Sequence, residues 1–229
     1  NDTKGQYGPD LCTDFLSNFF ARSSDQPFFA YYSMLLTHGP FNLTPHSKAW
    51  PSGDRLRDDP ANFRDMVAYL DYDFGRLLQA LEKSGHAENT LILFYGDNGS
   101  PPEVVSRTGS RTIPGGKRFT TDAGMHVPLL ARWPAQSKAG TVNDSTDFVP
   151  TLAAATGARW FSGRPLDGRS FLPQIRGQRG NPKDHLFSHF DPHPSCKADL
   201  PPTRLVWDHD HKLYLDGRFY NWRQDPDEK

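Results

Sequence analysis

The most constraining feature of this chain is a long amphipathic helix that runs almost directly into a short, wholly apolar strand. Phe63, Met66, Val67, Leu70, Phe74, Leu77, Leu78 and Leu81 recur at three- and four-residue steps, which predicts a helix over residues 62–84. Gly85 stands where a helix C′ glycine belongs. Thr90-Leu91-Ile92-Leu93-Phe94-Tyr95 then reads as a strand with no polar face, and it stops at Gly96-Asp97-Asn98-Gly99. A strand apolar on both faces must be covered on both, which is the situation of a sheet sandwiched by helices. The rest of the chain repeats the alternation. Residues 10–22 form a helix with Leu11, Phe15, Leu16 and Phe19 on one face, and the aromatic run 28–35 is a buried strand. A strand at 127–132, a helix at 147–155 with Pro150 in its first turn and a weaker helix at 168–176 follow. From Lys183 onward short segments rich in His, Pro and Trp replace that pattern, with Lys212-Leu213-Tyr214 in a hairpin around Asp216-Gly217. The expected fold is therefore α/β: a mostly parallel sheet flanked by helices over residues 1–182, and a small antiparallel subdomain over 183–229.

Charge and composition narrow the function. Among 229 residues, 26 Lys and Arg stand against 27 Asp and Glu, so the net charge of −1 gives no reason to expect nucleic acid or an anionic membrane as partner. The apolar run at 27–36 is far shorter than the roughly 18 residues of a membrane span. Mean hydropathy is low at −0.69, yet charged residues make up only 23%, so the polarity resides in loops rather than in a charged tail. Cys12 and Cys196 are too few and too far apart for a disulfide framework or a zinc site. Sequons at Asn1, Asn42, Asn98 and Asn143 would matter in a secreted eukaryotic protein. The chain begins with Asn1 rather than Met, and the expectation is that it is processed or cut from something longer.

Four segments carry chemistry. Asp97 and Asn98 follow the carboxyl end of a strand, where α/β sheets bind ligands, and their oxygens suit a hard cation such as Ca²⁺ or Mg²⁺. Asp-Asn-Gly is equally good turn chemistry. Gly115-Gly116-Lys117 allows close backbone approach and offers a compact positive charge to an anion; it is not a P-loop, and a surface loop would read the same way. His38 also follows a strand, placed either to protonate a leaving group or simply in a loop. His185, His189, His193 and Cys196, with His209 and His211, are interrupted by Pro192 and Pro194, so zinc, a cleft wall and plain surface all stay open.

Taken in order, His38, the long helix, Asp97-Asn98-Gly99, Gly-Gly-Lys117 and Asp122-Ala-Gly-Met-His126-Val-Pro128 resemble the sulfatase family of the alkaline phosphatase superfamily. Leu70 to Leu81 resembles the family's helix before its metal strand, and Asp147-Phe148-Val149-Pro150-Thr151-Leu152, Asp167-Gly168-Arg169-Ser170 and Lys212-Leu213-Tyr214 resemble later signatures. The resemblance implies that Asp97 and Asn98 are two ligands of one Ca²⁺. It makes Lys117 and His38 the catalytic and substrate-binding residues, Lys117 on a sulfate oxygen and His38 on the sulfate or ester oxygen. Asn98 resembles the single-calcium sulfatases, since the superfamily's phosphatases usually carry His there.

The resemblance also implies a formylglycine nucleophile, made from Cys in a Cys-x-Pro/Ala-x-Arg motif. Neither Cys12-Thr-Asp-Phe nor Cys196-Lys-Ala-Asp fits that motif. The nucleophile and the remaining calcium ligands are thus expected upstream, in a missing N-terminal portion, and the segment alone is expected to be inactive. His126 replaces the usual Arg and Asp122-Ala123 the usual Glu-Gly. The implied partner is a sulfated small molecule or glycan, with substrate choice set by residues 42–60 and 189–202, and the implied location is periplasmic, secreted or lysosomal. A phosphodiesterase or phosphonate hydrolase of the superfamily, and a non-catalytic remnant that binds sulfated ligands, are the alternatives.

Overall fold

The computed structural model describes residues 5–23, 26–136, 145–159, 163, 165–192 and 201–229. His193, Cys196 and the sequon asparagines Asn1 and Asn143 lie outside them. The chain divides into two compact units, Asn1–Thr90 and Leu91–Lys229.

The first unit is a helix pair with a long strapped loop. Helix α1 (Gly8–Arg22) has Pro9 and Asp10 in its first turn and Arg22 in its last, matching the helix dipole at both ends. Helix α2 (Phe63–Lys83) buries Met66, Tyr69, Asp73, Leu77 and Leu81. It ends as its sequence requires: Gly85 takes φ +79°, and the amides of Gly85 and His86 donate to the carbonyls of Glu82 and Leu81 at 3.0 and 3.1 Å. The helices are joined through Arg76, which donates to Asp10 at 2.7 Å and Asp73 at 2.8 Å and also pairs with Asp14. Tyr69 Oη donates to both oxygens of Asp10. Asp73 is wholly buried; desolvation raises its pKa, and the Arg76 hydrogen bond opposes that rise.

Residues 37–60 run without regular strands but are anchored at both ends. The Phe41 amide donates to Asp58 Oδ1 at 2.7 Å, its carbonyl accepts from Asp59 N and Asn62 Nδ2, and Ser47 Oγ donates to Asp65 at 2.6 Å. Residues 28–35, expected as a buried strand, belong to no hydrogen-bonded ladder among the described residues. Period-two alternation is nonetheless present from Tyr31 onward: Tyr31, Ser33 and Leu35 are exposed, while Tyr32 and Met34 are half-buried. The side-chain pattern of a strand exists here without lateral pairing.

In the second unit, β1 (Ile92–Tyr95) pairs antiparallel with β4 (Leu129–Arg132). Between them stand a hairpin of β2 (Val105–Thr108) and β3 (Arg111–Pro114), and one helical turn, α3 (Asp122–Met125). Helices α4 (Phe148–Thr156) and α5 (Leu172–Ile175) follow; Trp133, Phe171, Leu172 and Ile175 form a core against which Leu93, Phe148 and Ala155 pack. Buried Asp147 holds this region together, accepting from Arg169 N at 2.7 Å and Lys183 Nζ at 2.9 Å. The last element is a four-stranded antiparallel sheet in the order β5 (Leu186–Phe190), β6 (Thr203–Trp207), β7 (His211–Tyr214) and β8 (Phe219–Asn221). It begins at Leu186, and its β7–β8 turn is the expected Asp216-Gly217 hairpin, with Gly217 at φ +91°.

All strand pairs among the described residues are antiparallel, so these strands do not form the mostly parallel sheet that was expected. The reason is the β1–β4 connection. A parallel pair needs a crossover that carries the chain back to the starting end. Here the chain leaves β1 at Gly96 and re-enters at Pro128 on the same end, where Gly96 N donates to Pro128 O at 3.0 Å. The intervening residues contain the β2–β3 hairpin. The weak helix at 168–176 shrinks to α5, which starts beside Pro173.

Candidate functional site

The cleft that carries Asp97, Asn98 and Lys117 lies wholly in the second unit and is built on glycine contacts. Gly99 and Gly116 both press on the peptide joining Ala123 to Gly124. A Cβ on Gly99 would come within 1.9 Å of Ala123 O, and one on Gly116 within 2.4 Å of Ala123 C and Gly124 N. Gly99 N also donates to Gly124 O at 3.0 Å, and Lys117 N to Ser100 O at 2.9 Å. The loop after β1, the Gly115-Gly116-Lys117 loop and α3 are thereby locked together by main chain alone. Only residues lacking a Cβ permit that distance.

This lock places Asp97, Asn98 and Lys117 on one cleft of about 440 Å³. Asp97 Oδ1 accepts from Asn98 N at 2.9 Å, and Asn98 Nδ2 donates to Gly99 O at 3.0 Å, so local hydrogen bonds hold the bend that carries both side chains. Lys117, Arg118, Phe119 and Thr120 line one wall, with Gly124 and Met125 beside them. Ser188, His189, Phe190, Asp191 and Pro192 line the other. Successive strand residues point to opposite faces, so a wall made of Ser188, His189 and Phe190 meets the cleft along the strand's edge. β5 is an edge strand of its sheet, which leaves that edge available.

The first wall is tied from below by the C-terminal sheet. Lys212 is fully buried; its Nζ donates to Thr120 O at 2.7 Å and to Glu228 Oε1 at 3.0 Å. Tyr214 Oη bonds Glu228 Oε2 at 2.5 Å and Thr120 Oγ1 at 2.9 Å; burial first and the Glu228 hydrogen bond second raise its pKa. His126 is half-exposed, and its hydrogen bond to Asp122 raises its pKa above the ordinary 6.5.

Of the residues expected to carry chemistry, Asp97, Asn98 and Lys117 come together. His189 joins them on the cleft wall, one of the three fates left open for the histidines. His38 belongs to the first unit, where its Nδ1 lies 2.7 Å from Gly39 O. His211 stacks on Phe219 with ring centroids 5.2 Å apart, and His209 O accepts from Arg223. No group of three His, Cys, Asp or Glu among the described residues could hold a metal ion. Asp97 and Asn98 have the donor chemistry of a calcium site but supply only part of the 6–8 oxygens that ion takes. Arg118 carries no signal in the sequence, and Lys212 stands out there only as part of the Lys212-Leu213-Tyr214 signature, which says nothing of its burial.

The cleft thus joins a hard-oxygen pair at a strand end to a lysine on a glycine-locked loop. The Sulfatase family model matches residues 2–158, more than half of the chain, and the chain belongs to the sulfatase family. It is 35% identical over 171 residues to arylsulfatase A of Homo sapiens, covering 73% of this chain and 32% of that protein. It is 30% identical over 196 residues to steryl-sulfatase of Mus musculus, covering 81% of this chain and 30% of that protein. The chain thus spans about a third of the length of these curated relatives. Among solved structures, Ps i-CgsB superposes with a TM-score of 0.73 at 22% identity, over 96% of this chain and 49% of that one. The PsFucS1 sulfatase from Pseudoalteromonas sp. gives a TM-score of 0.66 at 22% identity, over 96% and 47%. These likenesses show the sulfatase fold. No helix among the described residues is long and apolar enough to cross a membrane.

Proposed function

We propose that the protein containing this chain is a calcium-assisted sulfuric ester hydrolase acting on a sulfated sugar or aryl ester. The observation that carries this reading is the placement of Asp97, Asn98 and Lys117 on one cleft in a chain of the sulfatase family. In it, the Asp97 carboxylate and the Asn98 amide oxygen hold Ca²⁺, with the other ligands supplied elsewhere in the full-length protein. When bound, the ion acts as a Lewis acid on the sulfate, and a formylglycine upstream of this chain supplies the nucleophile. Lys117 holds a sulfate oxygen and offsets charge that builds up in the transition state. His38 hydrogen-bonds the sulfate or ester oxygen and delivers a proton to the leaving alkoxide. Asn at 98 favours the sulfate ester over the phosphodiester reading.

The partner is a sulfated glycan or small molecule. Related folds have been captured with k-i-k-neocarrahexaose and with D-glucosamine-2-N,6-O-disulfate. In the same reading β1 and β4 belong to a larger, mostly parallel sheet completed by an N-terminal portion of the protein. Residues 1–182 are the C-terminal part of the catalytic domain, 183–229 form an appended subdomain, and the setting is periplasmic, secreted or lysosomal. The test is hydrolysis of 4-nitrophenyl sulfate and bis(4-nitrophenyl) phosphate by the full-length protein, with and without a calcium chelator. Sulfate ester turnover that chelation abolishes supports the reading; preference for the phosphodiester, or no turnover, overturns it.

A further inference from the structure

Arg118 has the most unusual backbone on the cleft wall. Phe119 N donates to Gly116 O at 2.9 Å, closing a four-residue turn over Gly116, Lys117, Arg118 and Phe119. Arg118 occupies the third position with φ +77°, and Lys117 before it is not left-handed, which defines a type II turn. That position calls for glycine, because a Cβ crowds the following carbonyl when φ is positive. Placing arginine there is unfavourable for the fold alone. Strained backbone of this kind persists where the surrounding structure over-determines it, and it clusters at functional sites.

The turn has a second effect. In an extended segment Lys117 and Arg118 would point to opposite sides. Here the two consecutive cations both line the cleft that Asp97 and Asn98 line. Arg118 is exposed, and no carboxylate among the described residues pairs with it, in contrast to Arg111 with Asp227 and Arg218 with Asp216. A guanidinium left without a carboxylate at a cleft wall is a fork for a planar or tetrahedral oxyanion. The facing wall supplies groups for uncharged parts of a ligand, with Ser188 and His189 as hydrogen-bonding groups and Phe190 as an apolar face.

We propose that Arg118 is a specificity residue that binds a second anionic group of the substrate, beside the sulfate held by Lys117. The substrate class is therefore a sugar carrying at least two anionic groups, the second being a sulfate or a carboxylate. This rests on the sulfatase reading above and adds to it the anionic decoration of the substrate.

The test compares kcat/KM of the full-length protein on glucosamine 6-O-sulfate, glucosamine 2-N,6-O-disulfate and a 6-O-sulfated hexosamine linked to a uronic acid. Wild type is compared with Arg118→Gly, Arg118→Asn and Arg118→Lys. Glycine and asparagine both accept positive φ, so these variants keep the turn and remove the guanidinium. The expected result is that the preference for one dianionic sugar over the monosulfate falls about tenfold or more in the Gly and Asn variants, the scale of one charge-assisted hydrogen bond. Arg118→Lys restores part of it. Which dianionic sugar loses its advantage identifies the second group. Turnover of the monosulfate with an unchanged preference in both variants overturns the Arg118 assignment and leaves the sulfatase reading standing. No turnover of any sulfate ester by wild type overturns both.

Discussion

Gly99 and Gly116 meet on the same peptide bond, between Ala123 and Gly124, and each is closer to it than any side chain would allow. The contact fixes the spacing of the two loops that carry Asp97, Asn98 and Lys117. Alanine at Gly99 must displace main chain, because the obstacle at 1.9 Å is a carbonyl oxygen and not a flexible side chain. We expect Gly99→Ala to destabilise the protein by about 2 kcal/mol or more, read from the urea unfolding midpoint.

Asp97→Ala and Lys117→Ala leave that contact intact. Both should fold with near wild-type melting temperatures. Sulfate ester turnover in the full-length protein should fall by about a hundredfold or more, the scale set by losing one preorganised charge at a reacting oxyanion. Near wild-type kcat/KM in both would exclude the assigned roles.

Buried Lys212 and Glu228 form an ion pair beneath Thr120. Removing one partner strands the other's charge, so Lys212→Met should cost about 3–5 kcal/mol. Adding Glu228→Gln removes that stranded charge. The double variant should lose clearly less than the sum of the two single losses, and denaturant unfolding of all four proteins measures the difference.

His126 gives the pH prediction. Its pKa is raised first of all by the hydrogen bond to Asp122, so folding favours the protonated ring. That contribution is complete below the ordinary value of 6.5 and is lost as pH rises through the higher folded-state value. The melting temperature of wild type should therefore drop relative to His126→Asn as pH is raised from about 6 into the alkaline range. A parallel pH profile for the two proteins would remove the role.

Arg118→Gly should also be more stable than wild type by about 1 kcal/mol, since relief of a left-handed arginine outweighs the added freedom of glycine in the unfolded chain. Thermal unfolding reads the sign directly.

Local signals in the sequence read well where the physics is local. The 3.6-residue pattern and Gly85 gave α2 its limits within a residue, and the abrupt end of the apolar run located Asp97 and Asn98 at a strand end. Pairing direction was less visible, because the return of the chain to Pro128 depends on backbone contacts among Gly96, Gly99 and Gly116 that no periodicity encodes. The same is true of residues 28–35, whose alternation is plain but whose lateral partners are a matter of tertiary structure. Arg118 escapes a sequence reading because an arginine at the third position argues locally against a type II turn. Buried Lys212 was hidden for a similar reason, since its partners Thr120 and Glu228 are far from it in sequence.

The edge-on meeting of β5 with the cleft separates two jobs that many sites combine. The residues assigned to grip the ester sit on the glycine-locked loops, while Ser188, His189 and Phe190 present themselves from a different sheet. An edge strand keeps its main-chain ladder on one side whatever its side chains are, so its lettering can drift without disturbing the lock. Under the proposed function, substitutions along this one strand can change what the cleft accepts while the loops that carry Asp97, Asn98, Lys117 and Arg118 stay as they are.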